Sequence, residues 1–283
     1  VLVELAGAAA GALAVWSGWI EPRSLRVRRF SVAMPGLSAP VRAVAIGDLQ
    51  PWRIHWPARR LRAAFARAAA EKPDIVFWLG DYYNAPTRRL TKLLTALPAL
   101  RRPYDAMQTP LHEIVAEMGR LTAPMGAWAV LGNHDWHTPG EAVIDALRGV
   151  GITPLVGEAA WAEHRETGAR LRVIGLDDPS SRRPHGWERI GAEDGPAVML
   201  VHAPDVWDDI PDAPALTLAG HTHGGQIAPL GPLFLPELGE RYARGWHDRD
   251  GRRLYVTRGL GASILPLRLN APPEIVTLDL TPA

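Results

Sequence analysis

The chain has 283 residues, 31 Lys and Arg against 30 Asp and Glu, and a formal net charge of +1 with histidines neutral. That balance supplies no global field for a nucleic-acid partner. A 47% hydrophobic content excludes wholesale disorder, and the absence of cysteine excludes disulfide scaffolds, thiol nucleophiles and cysteine-held metal clusters.

Residues 1–20 (VLVELAGAAAGALAVWSGWI) carry one charge, Glu4, and have about the 20-residue length that crosses a bilayer as a helix. Trp16 and Trp19 fall where an interfacial aromatic belt would lie. Residues 1–22 therefore read as a membrane anchor or an uncleaved export signal, with a surface-lying helix or a buried core helix as the alternatives. Arg23, Arg26, Arg28 and Arg29 follow, and taken alone they would keep that side cytoplasmic. The expected location is a membrane or its surface, with the membrane face and the oligomeric state open. Residues 23–40 read as a lead-in to a domain spanning 41–283.

That domain alternates strands and helices. A β-branched run at 41–46 stops at Asp48. Pro57 opens a helical stretch in which Leu61, Ala64, Phe65 and Ala68 recur at helical spacing. A strand at 75–79 stops at Asp81, a Leu/Arg/Thr-rich helix follows, and a loop is expected over 103–110. Further strands are expected at 128–131, before Asn133, and at 170–176, before Asp177 and Asp178. Those at 198–201 and 216–219 stop at His202 and at His221/His223, and strands at 254–257 and 275–280 complete the pattern. The class is α/β, in one soluble domain with no internal repeat.

Five apolar strands thus stop at an Asp, Asn or His. In open α/β sheets ligands bind beyond the carboxyl ends of the strands, which would bring these side chains together. Buried carboxylates and imidazoles so clustered call for a cation. A mixed oxygen and nitrogen set suits Mn, Fe, Zn or Co better than Ca or Mg.

The ordered motifs GD at 47–48, GD at 80–81, GNHD at 132–135, VH at 201–202 and GHTHGGQ at 220–226 resemble those of the calcineurin-like metallophosphoesterases. The tail RGLGASILPLRLNAPPEI at 258–275 is similar to the membrane-associated bacterial branch of that family, which includes UDP-2,3-diacylglucosamine pyrophosphatases. The resemblance covers roughly residues 41 to 280 and implies a four-layer αββα sandwich. It further implies two divalent ions (Mn, Zn or Fe). Asp48, Asp81 and His223 would hold the first; Asp81 as bridge, with Asn133, His202 and His221, would hold the second. A hydroxide activated by the ion pair would attack a phosphoester or pyrophosphate bond. His134 would stabilise the phosphoryl oxygens or protonate the leaving group, with Asp135 orienting its imidazole.

The family's first motif is Asp-x-His, whereas here it is Asp48-Leu49-Gln50. Three readings stay open: Gln50 ligates through its amide oxygen, the first metal is loosely held, or activity is lost. Of the remaining candidates, His137 is either a neighbour of the site or exposed, and His55, His112, His164, His185 and His247 read as surface residues. Asp177 and Asp178 read as turn formers, and Arg258 as a substrate contact or the partner of an acid. The stretch 51–62 (PWRIHWPARRLR) reads as a solvated helix start with tryptophan packing, or as a patch where Arg meets phosphate and Trp meets an acyl chain. The ranked expectations are a membrane-side phosphoesterase acting on a lipid-linked substrate such as UDP-2,3-diacylglucosamine, a broad envelope phosphodiesterase or phosphatase for phosphorylated small molecules, and a non-catalytic binding module of the same fold.

Overall fold

Strands with both faces covered are apolar throughout rather than alternating; β2 (Val41–Ile46) exposes Arg42 alone, and β3 (Ile75–Trp78) buries every residue. The computed structural model describes residues 2–84, 86, 92, 95–137, 139–181, 185–191, 193–210, 212–228 and 241–283. Two six-stranded sheets organise them. The first runs β1 (Arg26–Met34), β12 (Glu274–Pro282), β2, β3, β4 (Ala127–Ala129), β5 (Ile152–Pro154). The second runs β10 (Gly245–Arg249), β11 (Arg252–Val256), β9 (Leu216–Ala219), β8 (Ala197–Leu200), β7 (Arg170–Gly175), β6 (Glu158–Glu163). β2 to β5 are parallel, as are β11, β9, β8 and β7; β12 runs antiparallel to β2, while β10 and β6 are antiparallel edges.

Alternation within the strands builds the layers. Ala43, Ala45, Phe77 and Leu79 pack against Leu171, Val173, Val198 and Leu200 between the sheets. Val44, Ile46, Val76 and Trp78 meet α2 (Ala58–Ala69) and the helices Leu111–Met118 and Gly140–Gly149. Phe65 of α2 stands edge-on to Trp78 with ring centroids 5.2 Å apart. The outer face of the second sheet is capped more thinly, by the short helix Trp187–Ile190 and the 3-10 turn Pro204–Asp209, with Trp187 and Trp207 on Ile174 and Met199. The sequence of layers is helix, sheet, sheet, helix.

Several expectations change. Residues 26–34 are no lead-in: they form β1, paired in parallel along the whole length of β12. Three arginines on this edge strand mask an alternation that buries Val32 and Met34. The loop expected over 103–110 is in part the helix Pro98–Ala106, which tolerates Pro103. The Leu/Arg/Thr-rich helix expected after Asp81 lies largely outside the described residues. The N-terminal segment is α1 (Leu2–Val15) followed by a π-helical turn Trp16–Ile20, exposed from residue 4 to 16. No helix among the described residues is long and apolar enough to cross a membrane. Behind it, the buried Glu21 carboxylate accepts from Trp16 Nε1 and from the Ala271 amide, both at 2.6 Å, and clasps the segment to the tail.

Candidate metal centre

The strands that reach the site end in turns which ordinary residues avoid. Asp48, Asp81, His221 and His223 have φ of +49°, +56°, +75° and +51°. Non-glycine residues in that region are uncommon and concentrate at functional sites. The loops after β2 and β3 are zipped together, with the Asp48 amide donating to Gly80 O at 2.9 Å and the Gln50 amide to Asp81 O at 3.2 Å. Glycine is obligatory at two approaches: a Cβ at Gly132 would collide with Asp81 Oδ1, and one at Gly259, itself at φ +66°, with the Asp48 side chain.

One cluster gathers four of the expected ligands. Asp81, His202 and His221 present ligand atoms within 4.8 Å of one another. His202 Nδ1 donates to Leu79 O at 2.8 Å, which turns Nε2 inward. That Nε2 lies 3.2 Å from Asn133 Oδ1, 3.2 Å from His221 Nδ1 and 3.4 Å from Asp81 Oδ2. His221 Nδ1 is 3.0 Å from Asn133 Oδ1. Beside this cluster Asp48 Oδ1 accepts the His221 amide at 2.9 Å and faces His223 Nε2 at 3.9 Å. Gln50 points into the same space and donates from Nε2 to Asp81 Oδ2 at 2.7 Å.

His134, itself buried, adjoins the cluster. Its amide donates to Asp81 Oδ1 at 2.9 Å, and its Nε2 is 3.4 Å from Ser263 Oγ. Asp135 is fully buried and accepts the amides of Asp81 (2.8 Å) and Gly132 (2.9 Å) on Oδ2 and of Tyr82 (3.0 Å) on Oδ1. Asp135 is expected to orient an imidazole; the bonds seen on its carboxylate lock the β3 loop to the GNHD loop.

Burial pushes the Asp48 carboxyl up to about 7, against the attraction of His202. Asp135 is likewise raised to about 7 by burial and by the neighbouring Asp81 charge. Burial works against ionisation of Asp81 too, but His202, His134 and His221 outweigh it and hold Asp81 below the usual carboxylate range. The same pairing, overcoming burial, holds His202 well above the usual imidazole value. Burial keeps His221 down at about 3 and His223 well below its ordinary value, so both present neutral, ligand-competent rings. In this charge pattern a proton on His202 offsets the Asp81 carboxylate, which is work a cation would do while freeing Nε2. Asp48 Oδ2 and Gln50 Oε1 are buried acceptors with no donor among the described residues. Idle buried acceptors beside an oxygen and nitrogen donor set fit divalent metal.

Other candidates resolve differently. Arg258 pairs with buried Glu274 at 2.7 Å. Asp178 accepts the Ser180 amide at 2.8 Å in a turn. His55, expected at the surface, is buried with Nε2 2.8 Å from Pro266 O, and His164 is buried 3.5 Å from Asp74. His112 and His137 are exposed, and His185 and His247 are half-buried. Trp52 and Trp56 are core residues, Trp52 donating to Ala262 O at 2.7 Å, so neither is free to meet an acyl chain.

Three supporting residues escape the motif-based reading. Arg268, fully buried, donates to Ala271 O at 2.6 Å and Arg258 O at 2.8 Å, and reaches His223 Nδ1 at 3.4 Å. Gln226 accepts the Ser263 amide at 2.7 Å and donates to Ser263 O at 3.0 Å, holding the tail loop under His134. Glu274 joins Tyr255, Arg258 and Arg28 at 2.9, 2.7 and 3.0 Å. All three lie within the motifs at 220–226 and 258–275, yet nothing in their spacing reveals these bonds.

Residues 41–256 match the family described as calcineurin-like phosphoesterase. The chain belongs to that family. It is a phosphoester hydrolase, and the family works with divalent metal ions. Among its relatives is the uncharacterized metallophosphoesterase YkuE of Bacillus subtilis (strain 168), 31% identical over 74% of this chain and 68% of that protein. Another is the phosphodiesterase YaeI of Escherichia coli (strain K12), 29% identical over 93% of this chain and 89% of that protein. A transmembrane protein with metallophosphoesterase domain from Bos taurus is 30% identical over 63% of this chain and 44% of its own length. In this calcineurin-like phosphoesterase the matched region ends before the tail loop that carries Ser263.

Proposed function

We propose that the protein hydrolyses a phosphodiester or pyrophosphate bond with two divalent ions held by Asp48, Asp81, Asn133, His202, His221 and His223. The convergence of Asn133 Oδ1, His202 Nε2, His221 Nδ1 and Asp81 Oδ2 within hydrogen-bond range carries this reading. When bound, such ions supply Lewis-acid polarisation of the phosphoryl group and charge that offsets its oxygens. The remaining work belongs to the chain. The Leu79 carbonyl fixes the His202 ring, and the Asp135 carboxylate fixes the two loops from which Asp81 and Asn133 project. His134, tethered at its amide by Asp81, donates from its imidazole to a phosphoryl or leaving oxygen. Gln50 holds Asp81 in place, and its idle Oε1 would serve as a weak additional ligand to a bound ion.

The substrate we propose is lipid-linked, of the UDP-2,3-diacylglucosamine kind, met at the inner membrane by a hydrolase domain whose attachment segment is residues 1–22. The apolar N-terminal stretch and the likeness to a protein named as transmembrane support this. The test is turnover by manganese-loaded protein of bis(p-nitrophenyl) phosphate, of a soluble nucleotide diphosphate and of UDP-2,3-diacylglucosamine. Hydrolysis of the first establishes the chemistry, and preference for the third over the second supports the lipid-linked substrate. Equal rates on the last two would remove the lipid part, and no turnover of any would remove the whole reading.

A further inference from the structure

The surface beside His134 is apolar, and it is assembled from three separate parts of the chain. Trp16, Trp19, Ile20, Ile54, Ile264 and Leu265 are each between 43% and 55% exposed, a large share for such side chains. Contacts beneath them show that they belong to one neighbourhood. Arg23 donates to Trp19 O at 2.9 Å and to Ile54 O at 2.6 Å, and its guanidinium lies 3.0 Å over the Trp19 ring. The His55 ring stands edge-on to Trp19 and bonds Pro266 O, while the Arg268 amide donates to Ser17 O at 2.9 Å. The tail loop therefore runs from Ser263, at His134, straight out to this face. Ile264 is held at φ +59°, a conformation that β-branched residues avoid, with its side chain half in water.

We infer that this face docks on an anionic lipid surface, with Ile264 and Leu265 entering the bilayer interface beside the mouth of the catalytic site. This deepens the membrane reading above and rests on it for the source of substrate. Two observations select lipid over a protein groove. First, α1 is exposed at every position from Glu4 to Val15, with Glu4 its only charge. A helix apolar around its whole circumference suits an apolar slab, whereas a protein groove covers one stripe. Second, the rim is cationic. Arg60 Nη2 donates to Arg23 O at 2.8 Å, which brings two guanidinium groups of like charge together, and neither meets a carboxylate among the described residues. Arg59 is exposed nearby on the same helix start. Tryptophans at the apolar border with arginines behind them match the layering of a headgroup region.

Flotation with vesicles of phosphatidylcholine, with and without phosphatidylglycerol, tests this on the full chain. The protein is expected to float with the anionic vesicles. Ile54→Asp and Leu265→Asp should each reduce partitioning about tenfold, the scale of one large apolar side chain withdrawn from an apolar phase. Both variants should keep wild-type turnover of bis(p-nitrophenyl) phosphate, which also certifies their fold. Failure of the wild-type chain to float, flotation of the variants like wild type, or a concentration-dependent dimer abolished by the same substitutions would each overturn the inference. Vesicle binding is read without substrate, so its failure is separable from a failure of the proposed chemistry.

Discussion

On one side of the proposed centre, Asp81, Asn133, His202 and His221 already touch, and each ring is held by a backbone group or a neighbouring amide. On the other side, Asp48 and His223 stand 3.9 Å apart, Asp48 Oδ2 is idle, and the residue offered where the family pattern has an imidazole is an amide that turns its nitrogen onto Asp81. The two sides share a fold and a depth, and in the proposed arrangement they would share Asp81, yet they differ in donor strength. Affinity for metal should therefore divide unequally, tight where two imidazoles converge and loose where Gln50 replaces one.

Breaking the bridge is the most severe test. Asp81→Ala should empty both sides and abolish turnover, as read by metal content after gel filtration and by bis(p-nitrophenyl) phosphate hydrolysis; retention of one full equivalent would mean that the sides are independent. His134→Ala should leave metal content unchanged and lower kcat by about 10²–10⁴-fold, the usual span for a lost proton donor. Full rate in that variant would contradict the role given to His134. Gln50→His should sharpen the contrast from the other direction, lowering the manganese needed for half-maximal turnover by about tenfold, the scale of a change close to the metal. The smallest effect concerns stability. Asp48 has its folded value raised to about 7 by burial, so in metal-free protein it favours the fold below its ordinary range and that contribution is lost as pH rises towards 7. With chelator present, Asp48→Asn should accordingly raise Tm at pH 8 more than at pH 5; an equal shift at the two pH values would show that Asp48 is ionised at no cost.

Much of this was legible in the sequence where one residue type carries both the local and the global signal. The run at 41–46 is β2 to the residue, and Leu61, Ala64, Phe65 and Ala68 form the buried stripe of α2. Asp81, Asn133, His202 and His221 converge because parallel strands deliver their ends to one edge. What stayed hidden depends on partners remote in the chain. β1 looks like a charged linker until β12 lies beside it, and the part Arg268 plays shows only once the carbonyl oxygens of Gly261, Ala271 and Arg258 gather at its guanidinium. Trp52 and Trp56 stayed undecided between packing and lipid contact, since a tryptophan among arginines reads the same whether it faces lipid or core; the structure buries both.

The position of β12 has a consequence for how the molecule comes into being. This strand lies between β1 and β2, so during synthesis the first sheet waits with a gap until residues 274–282 have left the ribosome. Glu274, at the head of that segment, then bonds Arg28 from the early chain and Arg258 from the late one. A nascent chain stalled before residue 274 would expose two unpaired strand edges and lack this cross-link, making it a natural target for quality-control proteases before it has bound any metal.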